Sequence, residues 1–291
     1  MVGRLPSGEF YHLGRCGDRL MICRPGLDYF IRYLSQYYEL VLFTSVPSMN
    51  GEQVFRKLDP FRFIMFPLFR EGTRYMNGHH VKDLSYLNRD LSKTIIIDTD
   101  SNHTQLQPEN AVILPKWNGQ ARDEHAADLI ALIPFLEYIA GMNIEDVRKV
   151  IKSFEGKNIP QEYARREAQA RERFLKEQGG SKKSRFSAGG VGSMIGFKPT
   201  PQPGQLPGEQ NLAEGLAQGK MLIDQVRERG QMQYRQLEHE IQTNGQKWLE
   251  ESEREEKKMM EEQMKSMKNE WMPFGGAFRG SEQQKSGEEK R

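Results

Sequence analysis

The chain has 291 residues and a net charge of +2, with 37% hydrophobic and 28% charged residues. This charge is too balanced to indicate a nucleic-acid-binding surface. No stretch of about 20 consecutive apolar residues predicts a transmembrane helix in the chain as given. The mean hydropathy of -0.73 is low for a single compact globule, so we expect a folded part and a polar part.

Residues 24–160 have the pattern of an α/β domain. "RPGLDYFIRYLSQYY" predicts a helix, "ELVLFTS" a strand, "PSMNGEQVFRKLDP" a helix and "FRFIMFPLFRE" a strand. Asn77-Gly78 between two extended arms predicts a protruding β-hairpin. "KTIIIDTD" and "NAVILPKW" predict two more strands, and the helices "DLIALIPFLEYIAGM" and "NIEDVRKVIKSFEG" follow, the second with Asn143 as N-cap and Asp146 at N3. The alternation favours a parallel sheet with helices on both faces.

The segments on either side of this domain differ from it in composition. Residues 1–23 are an atypical N-terminal segment without a continuous apolar run. After the domain we predict a charged helix at residues 161–178 and a Gly/Pro/Ser linker at residues 179–208. A helical tail at residues 209–271 and a disordered end at residues 272–291 follow. In the tail, Met260, Met264, Met267 and Trp271 recur at spacings of four, three and four, which places them on one helical stripe.

Polar side chains at the predicted strand ends form a constellation that suits phosphotransfer. Thr44 could donate to a phosphoryl oxygen, Lys82 could neutralise a phosphate, and Asp98 and Asp100 could hold magnesium at the carboxyl edge of the sheet. The structural alternative is that the two aspartates accept hydrogen bonds from loop amides, that Lys82 pairs with a nearby acid, and that Thr44 is a structural hydroxyl.

These residues carry a resemblance to a known superfamily. "VLFTS", "VKDLSYLNRDLSKTIIIDTD" and "LPKWNG" resemble the phosphatases that act on the C-terminal domain of RNA polymerase, within the haloacid dehalogenase superfamily. "RKLDPFRFIMFPLFREGTRY", "LQPEN" and "LIPFLEYIAGMNIEDVRKVIKSFEGK" are more similar to the fifty-kilodalton receptor subunits of the mitochondrial inner-membrane presequence translocase, in a fungal form. This second resemblance covers residues from about 24 to 166.

The resemblance also shows a departure from the phosphatase pattern. These enzymes begin with a strand that ends in Asp-x-Asp, where the first carboxylate is the nucleophile and the second the general acid and base. The segment before Arg24 contains Asp18 but no Asp-x-Asp. We therefore expect a phosphatase-like pseudoenzyme with no catalytic residue, no metal and no cofactor, in which Thr44, Lys82, Asp98 and Asp100 are vestigial. The alternative is a magnesium-dependent phosphoserine or phosphothreonine phosphatase.

The missing motif also predicts a gap in the sheet. In a haloacid-dehalogenase-like fold the first strand lies in the middle, so its absence would leave two strand edges and an apolar slot exposed. We expect an amino-terminally truncated sequence or an imperfect gene model, with a natural short isoform as the alternative. The membrane anchor expected in the family is absent from this chain.

The receptor resemblance implies a non-catalytic role in protein import. It implies binding of presequence-bearing precursors in the intermembrane space, transfer to the channel subunit at the inner membrane, and contact with the outer-membrane translocase, without nucleic acid. The hairpin is expected to bind the channel subunit through Arg70, Arg74, Tyr75, His79 and His80; the alternative is a solvated hairpin. The stripe of Met260, Met264, Met267 and Trp271 is expected to bind presequences; the alternative is packing on the domain.

Overall fold

The computed structural model describes residues 12–16, 19–120, 122–180 and 220–270. Its strands are β1 His12–Cys16, β2 Arg19–Ile22, β3 Leu40–Phe43, β4 Ile64–Leu68, β5 Arg74–Met76, β6 His79–Val81, β7 Ile96–Asp98 and β8 Ala111–Ile113. Its helices are α1 Leu27–Leu34, α2 Ser48–Leu58, α3 Asp128–Gly141, α4 Val147–Lys152, α5 Ile159–Gly180 and α6 Leu222–Glu270. The chain divides into two compact units, residues 1–237 and 238–291.

The predicted α/β architecture is confirmed in its main features. β3 pairs with β4 and β7 pairs with β8, and both pairs are parallel. The four predicted strands lie within the expected stretches, because their β-branched and aromatic residues suit a pleated, buried surface. Among the described residues these are two separate two-stranded sheets rather than one continuous sheet. An apolar cavity of about 810 Å³ has β3 and β7 in its walls, and we call it the slot.

The segment before α1 contains two strands that the sequence patterns do not predict. β1 and β2 form an antiparallel hairpin, and β1 contacts α2. Neither strand belongs to the parallel pairs. The expected absence of the central first strand therefore stays a prediction.

Two local predictions about the helices are wrong. α1 ends at Leu34, although the pattern extends the helix to Tyr38, and residues after Leu34 form turns. The N-cap of α4 is Asp146, whose carboxylate accepts a hydrogen bond from the backbone N–H of Arg148, and not Asn143. Asn143 has a φ of 45°, which it tolerates better than most residues. It lies within the non-helical connection of residues 142–146, so α4 begins only after Asp146.

The helices α1, α3, α4 and α5 share one hydrophobic core with β8. α5 is highly charged, yet Tyr163, Ala170 and Phe174 are buried on a single face of it that packs against α3. The spacing of seven and four residues is that of one helical face, and the charged residues occupy the rest of the surface. The charged helix is therefore a structural part of the core, and it extends two residues into the predicted linker.

The start of α6 packs on this same core. Met221 and Ile223 are fully buried, and Tyr234 packs its ring on Tyr29 and Tyr33 at centroid distances of 4.8 and 5.9 Å. Residues 220–237 thus belong to the first compact unit. The remainder of α6 forms the described part of the second unit. No described helix is both long enough and apolar enough to pass through a bilayer.

Candidate functional site

The phosphatase-like positions lie at the ends of their strands, where they make structural contacts. Thr44 follows β3; its backbone N–H donates to the carbonyl of Leu68 at 2.8 Å, and its hydroxyl oxygen accepts the N–H of Val46 at 3.2 Å. Asp100 accepts the N–H of Asn102 at 3.0 Å and lies 3.5 Å from the ammonium of Lys116. Both side chains therefore close turns at the carboxyl ends of the strands.

Asp98 and Lys82 form a buried ion pair. The Lys82 Nζ donates to Asp98 Oδ2 at 2.6 Å, and both side chains are about nine-tenths buried. The other carboxylate oxygen accepts the backbone N–H groups of Thr99 and Asp100 at 2.6 and 3.1 Å. His103 Nδ1 lies 3.3 Å from both oxygens. Three protein donors, the Lys82 ammonium and the backbone N–H groups of Thr99 and Asp100, thus hold both oxygens of this carboxylate.

These contacts set the charge state of Asp98. Burial alone raises the pKa of a carboxyl group, but the Lys82 ammonium and the two backbone N–H groups hold the pKa of Asp98 below its usual range. Magnesium needs carboxylate oxygens that are open to it. In the described part of the chain no group of three or more His, Cys, Asp or Glu side chains could hold a metal ion. The donors around Asp98 therefore do not fit a magnesium ion.

The predicted hairpin is confirmed as β5 and β6. Asn77 and Gly78 have φ values of 50° and 80°, which is the two-residue turn that Asn-Gly favours between antiparallel strands. Tyr75 lies opposite His80, with ring centroids 5.2 Å apart, and 69% of Tyr75 is exposed. His79 follows the turn on the opposite face, so the two histidines point in different directions.

Charged and polar contacts fix the base of the hairpin. Arg74 pairs with the buried Asp83 at 3.2 Å, and Arg70 Nε donates to the carbonyl of Ser45 at 2.6 Å. His80 Nδ1 lies 3.1 Å from the hydroxyl of Thr73. Contacts with the rest of the chain or with Thr73 thus anchor three of the five predicted residues, Arg70, Arg74 and His80, and Tyr75 is the exposed aromatic side chain of the hairpin.

The methionine stripe lies in the second compact unit. Met260, Met264 and Met267 are 60 to 63% exposed on α6. Trp271, the fourth predicted member, lies outside the described residues. Packing of these three methionines on the described part of their own unit is therefore minor.

The sequence patterns miss an ion pair that joins α6 to the core. Glu137 on α3 is fully buried; it accepts a hydrogen bond from the Tyr33 hydroxyl, and Arg227 Nε donates to it at 3.1 Å. Arg227 also contacts Glu167 at 3.1 Å, and Arg171 pairs with Asp224 at 2.7 Å. One signal was available: Glu137 is a lone acid in the apolar run "LIPFLEYIA", and a buried acid needs a partner.

The comparisons with known proteins agree with this architecture. The sequence model of the family described as NLI interacting factor-like phosphatase matches residues 8–148. The chain is 59% identical over 256 residues to the mitochondrial import inner membrane translocase subunit tim50 of Aspergillus fumigatus, covering 87% of this chain and 50% of that protein. The subunit of the same name from Neurospora crassa is 52% identical over 271 residues, covering 92% of this chain and 49% of that protein.

A third relative shows a similar identity and coverage. The tim50 subunit of Emericella nidulans is 58% identical over 255 residues, which covers 87% of this chain and 47% of that protein. The chain thus spans about half the length of the curated relatives that it matches.

Proposed function

This chain is a homologue of the fungal translocase subunits named Tim50, with an NLI interacting factor-like phosphatase domain at residues 8–148, and on that premise we propose that it is a non-catalytic receptor in mitochondrial protein import. It binds presequence-bearing precursors in the intermembrane space and passes them to the channel subunit of the inner membrane. The observation that carries this proposal is the high identity to translocase subunits across most of the chain.

A non-catalytic role is supported by the chemistry of the phosphatase-like edge. The carboxylate of Asp98 is neutralised by Lys82 and held by backbone N–H groups, and the Thr44 oxygen accepts a turn hydrogen bond. In a phosphatase of this kind Asp98 would hold magnesium rather than attack phosphorus, and that role requires carboxylate oxygens that are open to the ion. The constellation therefore stabilises the ends of the strands in this proposal, and the domain serves recognition.

The proposed presequence contact is the stripe formed by Met260, Met264 and Met267. Presequences are amphipathic helices with one basic and one apolar face. Methionine side chains adapt to apolar faces of different shape, and seven glutamates between residues 250 and 262 offer a complement to the basic face. In this proposal the presequence helix packs against α6. The spacing of apolar residues along the presequence, rather than a fixed sequence, decides the affinity.

Replacing the stripe is expected to weaken presequence binding by about tenfold. The variant Met260→Gln, Met264→Gln, Met267→Gln keeps the helical propensity but removes the apolar surface. A tenfold loss corresponds to about 1.4 kcal/mol, which is less than the burial of one methionine contributes. Fluorescence anisotropy of a labelled synthetic presequence, titrated with the 291-residue chain, measures the effect.

The matched control is Met232→Gln with Met259→Gln. Both methionines lie on α6, are more than 60% exposed and lie off the stripe. This control should bind the presequence like the unaltered chain. Equal affinities for the stripe variant and the control would remove the stripe from the proposal.

The proposed contact with the channel subunit is the hairpin. Tyr75 is an exposed aromatic side chain of the hairpin and lies opposite His80, and Arg70, Arg74 and His79 are the further residues proposed for this contact. Tyrosine and arginine are enriched among the residues that dominate the affinity of protein interfaces. The base of the hairpin is anchored to Asp83 and Ser45, so little conformational entropy is lost on binding.

Tyr75→Ala is expected to weaken binding to the purified channel subunit by about thirtyfold, which is the effect of losing an interface residue worth about 2 kcal/mol. Tyr86→Ala is the control, because Tyr86 is 60% exposed and lies outside the hairpin. Neither change should affect folding, since both rings contact solvent. If Tyr86→Ala reduced the affinity as much as Tyr75→Ala, the hairpin would not be the docking site.

The proposed architecture is a sheet of the haloacid dehalogenase type. The pairs β3–β4 and β7–β8 are its two halves, and the slot is the position of the first strand of such a sheet. The apolar lining of the slot supports this arrangement.

A further inference from the structure

Residues 220–237, which we call the docked segment, lie against three helices of the core. Arg227 contacts Glu137 of α3 and Glu167 of α5, each at 3.1 Å. Tyr234 packs its ring on the tyrosines of α1. We call the surface that receives the segment the helix groove, and its residues are Tyr29, Tyr33, Glu137, Gly141 and Glu167.

The docked segment is a basic amphipathic helix. The residues that face the core recur at spacings of four, three and four, as Ile223, Arg227, Gly230 and Tyr234. This spacing is that of one helical face. Arg229 and Arg235 are exposed on the rest of the surface. Four basic and two acidic residues between positions 220 and 237 give the segment a positive net charge. The helix groove therefore binds a helix that has an apolar face and a basic net charge.

The groove provides an acidic counterpart for this helix. Glu137 is fully buried, and its two carboxylate oxygens accept hydrogen bonds from the Tyr33 hydroxyl and from Arg227. A buried carboxylate without a cation is costly, so a helix in this groove needs a basic residue at the position of Arg227. Gly141 admits a close approach, because a Cβ there would lie 2.9 Å from Cγ1 of Val226. The groove thus selects a helix by charge as well as by shape.

The docked segment does not satisfy every polar group at this contact. Nε2 of Gln225 in the segment and the hydroxyl of Tyr163 on α5 are buried, and neither has a hydrogen-bond partner among the described residues. Tyr163 lies one helical turn before Glu167 on the same face of α5. Each unpaired group costs free energy, and a buried ion pair adds little net stability relative to apolar packing. A different helix with the same charge pattern can therefore compete with the segment.

We propose that the helix groove is a binding site for a presequence helix, and that the docked segment is an intramolecular ligand which this helix displaces. Presequences combine a basic and an apolar face, which is the character of the segment itself. The choice of a presequence as the occupant rests on the proposed function. The groove is distinct from the methionine stripe, which belongs to the other compact unit. Because the displaced segment stays covalently attached, it competes at a constant effective concentration and returns when the presequence leaves.

The test uses the 291-residue chain with labelled isoleucine methyl groups, which is titrated with a synthetic presequence and followed by NMR. Ile223 is fully buried in the docked segment, so its methyl resonance reports whether the segment is docked. We expect the docked resonance to be lost and to be replaced by that of a solvent-exposed isoleucine. Ile151 of α4 is buried in the same core and should keep its resonance, because the core stays folded.

Two further peptides test the recognition of charge. A synthetic peptide with the sequence of residues 220–237 should displace the segment in the same way. The same peptide with Arg227→Glu places a carboxylate beside Glu137 and should leave the Ile223 resonance unchanged. Displacement by both peptides alike would show that the groove does not recognise charge. Displacement by the unaltered peptide, but not by the presequence, would show that the groove recognises only its own segment. Either result would overturn the proposal.

Arg227→Glu in the chain itself gives an independent measurement. The substitution places a third carboxylate beside Glu137 and Glu167 and so releases the segment. In a chain whose stripe methionines are replaced by glutamine, it should strengthen presequence binding by about tenfold, because the apparent dissociation constant falls as the fraction of open grooves rises. Arg235→Glu is the matched control on an exposed residue and should leave the affinity unchanged. Unchanged or weaker binding by the Arg227→Glu chain, measured by fluorescence anisotropy, would contradict the proposal.

The groove and the proposed function fail in different ways. Presequence binding by anisotropy with an unchanged Ile223 resonance would remove the groove as a binding site and leave the receptor role intact. The absence of any presequence binding to the unaltered chain would remove both.

Discussion

Lys82→Met is expected to lower the free energy of unfolding by about 3 kcal/mol at pH 7. The substitution leaves the carboxylate of Asp98 buried without its cation, and removal of one partner from a buried ion pair is costly for that reason. The backbone N–H groups of Thr99 and Asp100 still stabilise the charge, which places the expected loss at the lower end of the known range. Urea unfolding followed by circular dichroism measures the change.

The same substitution has a defined pH dependence. In the unaltered chain the pKa of Asp98 is lower in the folded state than in the unfolded state. At pH values between these two pKa values the unfolded state therefore binds more protons than the folded state. The stability that Asp98 contributes is fully present above its unfolded pKa and is lost as the pH falls through its folded pKa. The destabilisation by Lys82→Met should shrink as the pH falls through the pKa of Asp98 in the variant, because protonation of Asp98 removes the unpaired charge.

Lys116→Met is the matched control for this prediction. Lys116 is exposed and lies 3.5 Å from Asp100 at the same end of the sheet. Exposed pairs of this kind contribute about 0 to 1 kcal/mol. A loss as large as that of Lys82→Met, or a loss for Lys82→Met that does not depend on pH, would contradict the assignment of Lys82–Asp98 as a buried structural pair.

Arg227→Met is the second change with a large expected effect, a loss of about 3 kcal/mol in the free energy of unfolding. Arg227 is the cation beside the fully buried Glu137, while the second acid that it contacts, Glu167, keeps Arg171 as a partner. The uncompensated charge of Glu137 should release residues 220–237 from the core. Trypsin cleavage after Arg229 would then become faster than in the unaltered chain.

Two further variants test the cause of the stability loss in Arg227→Met. Arg235→Met changes an exposed arginine of the same helix and should leave unfolding and cleavage unchanged. The double variant Glu137→Gln, Arg227→Met should be more stable than Arg227→Met alone, because it no longer buries a charge. Equal stabilities of the double and single variants would show that packing, and not charge, holds the helix to the core.

The sequence predicted those elements whose signals are local. The apolar runs of β3, β4, β7 and β8 and the Asn77-Gly78 turn each carry their information within a few residues. Residues 220–237 lie within the predicted helical tail, although Gly230 lowers helical propensity. The structure gives the reason for that glycine: a Cβ there would lie 1.9 Å from the Tyr37 hydroxyl and 2.5 Å from that of Tyr33.

The candidate site residues divide in the same way. The hairpin and the methionine stripe could be recognised from turn chemistry and helical spacing. The Glu137–Arg227 pair could not, because it joins residues 90 positions apart and depends on the arrangement of α3, α5 and α6. The capping error at Asn143 has a related origin, since Asn143 and Asp146 are both good caps and only the packing of α3 against its neighbours selects between them.

The pairing of Arg171 on α5 with Asp224 on α6 has a consequence for chain topology. This ion pair joins α5 and α6, the helices on either side of residues 181–219. Those residues therefore connect two helices that both pack on the same core. The entropy of closing such a bridge rises only with the logarithm of its length, and a doubling adds about 0.6 kcal/mol. Insertions and deletions in this bridge should therefore be nearly neutral in evolution, and a single cut in it would leave two fragments that remain associated.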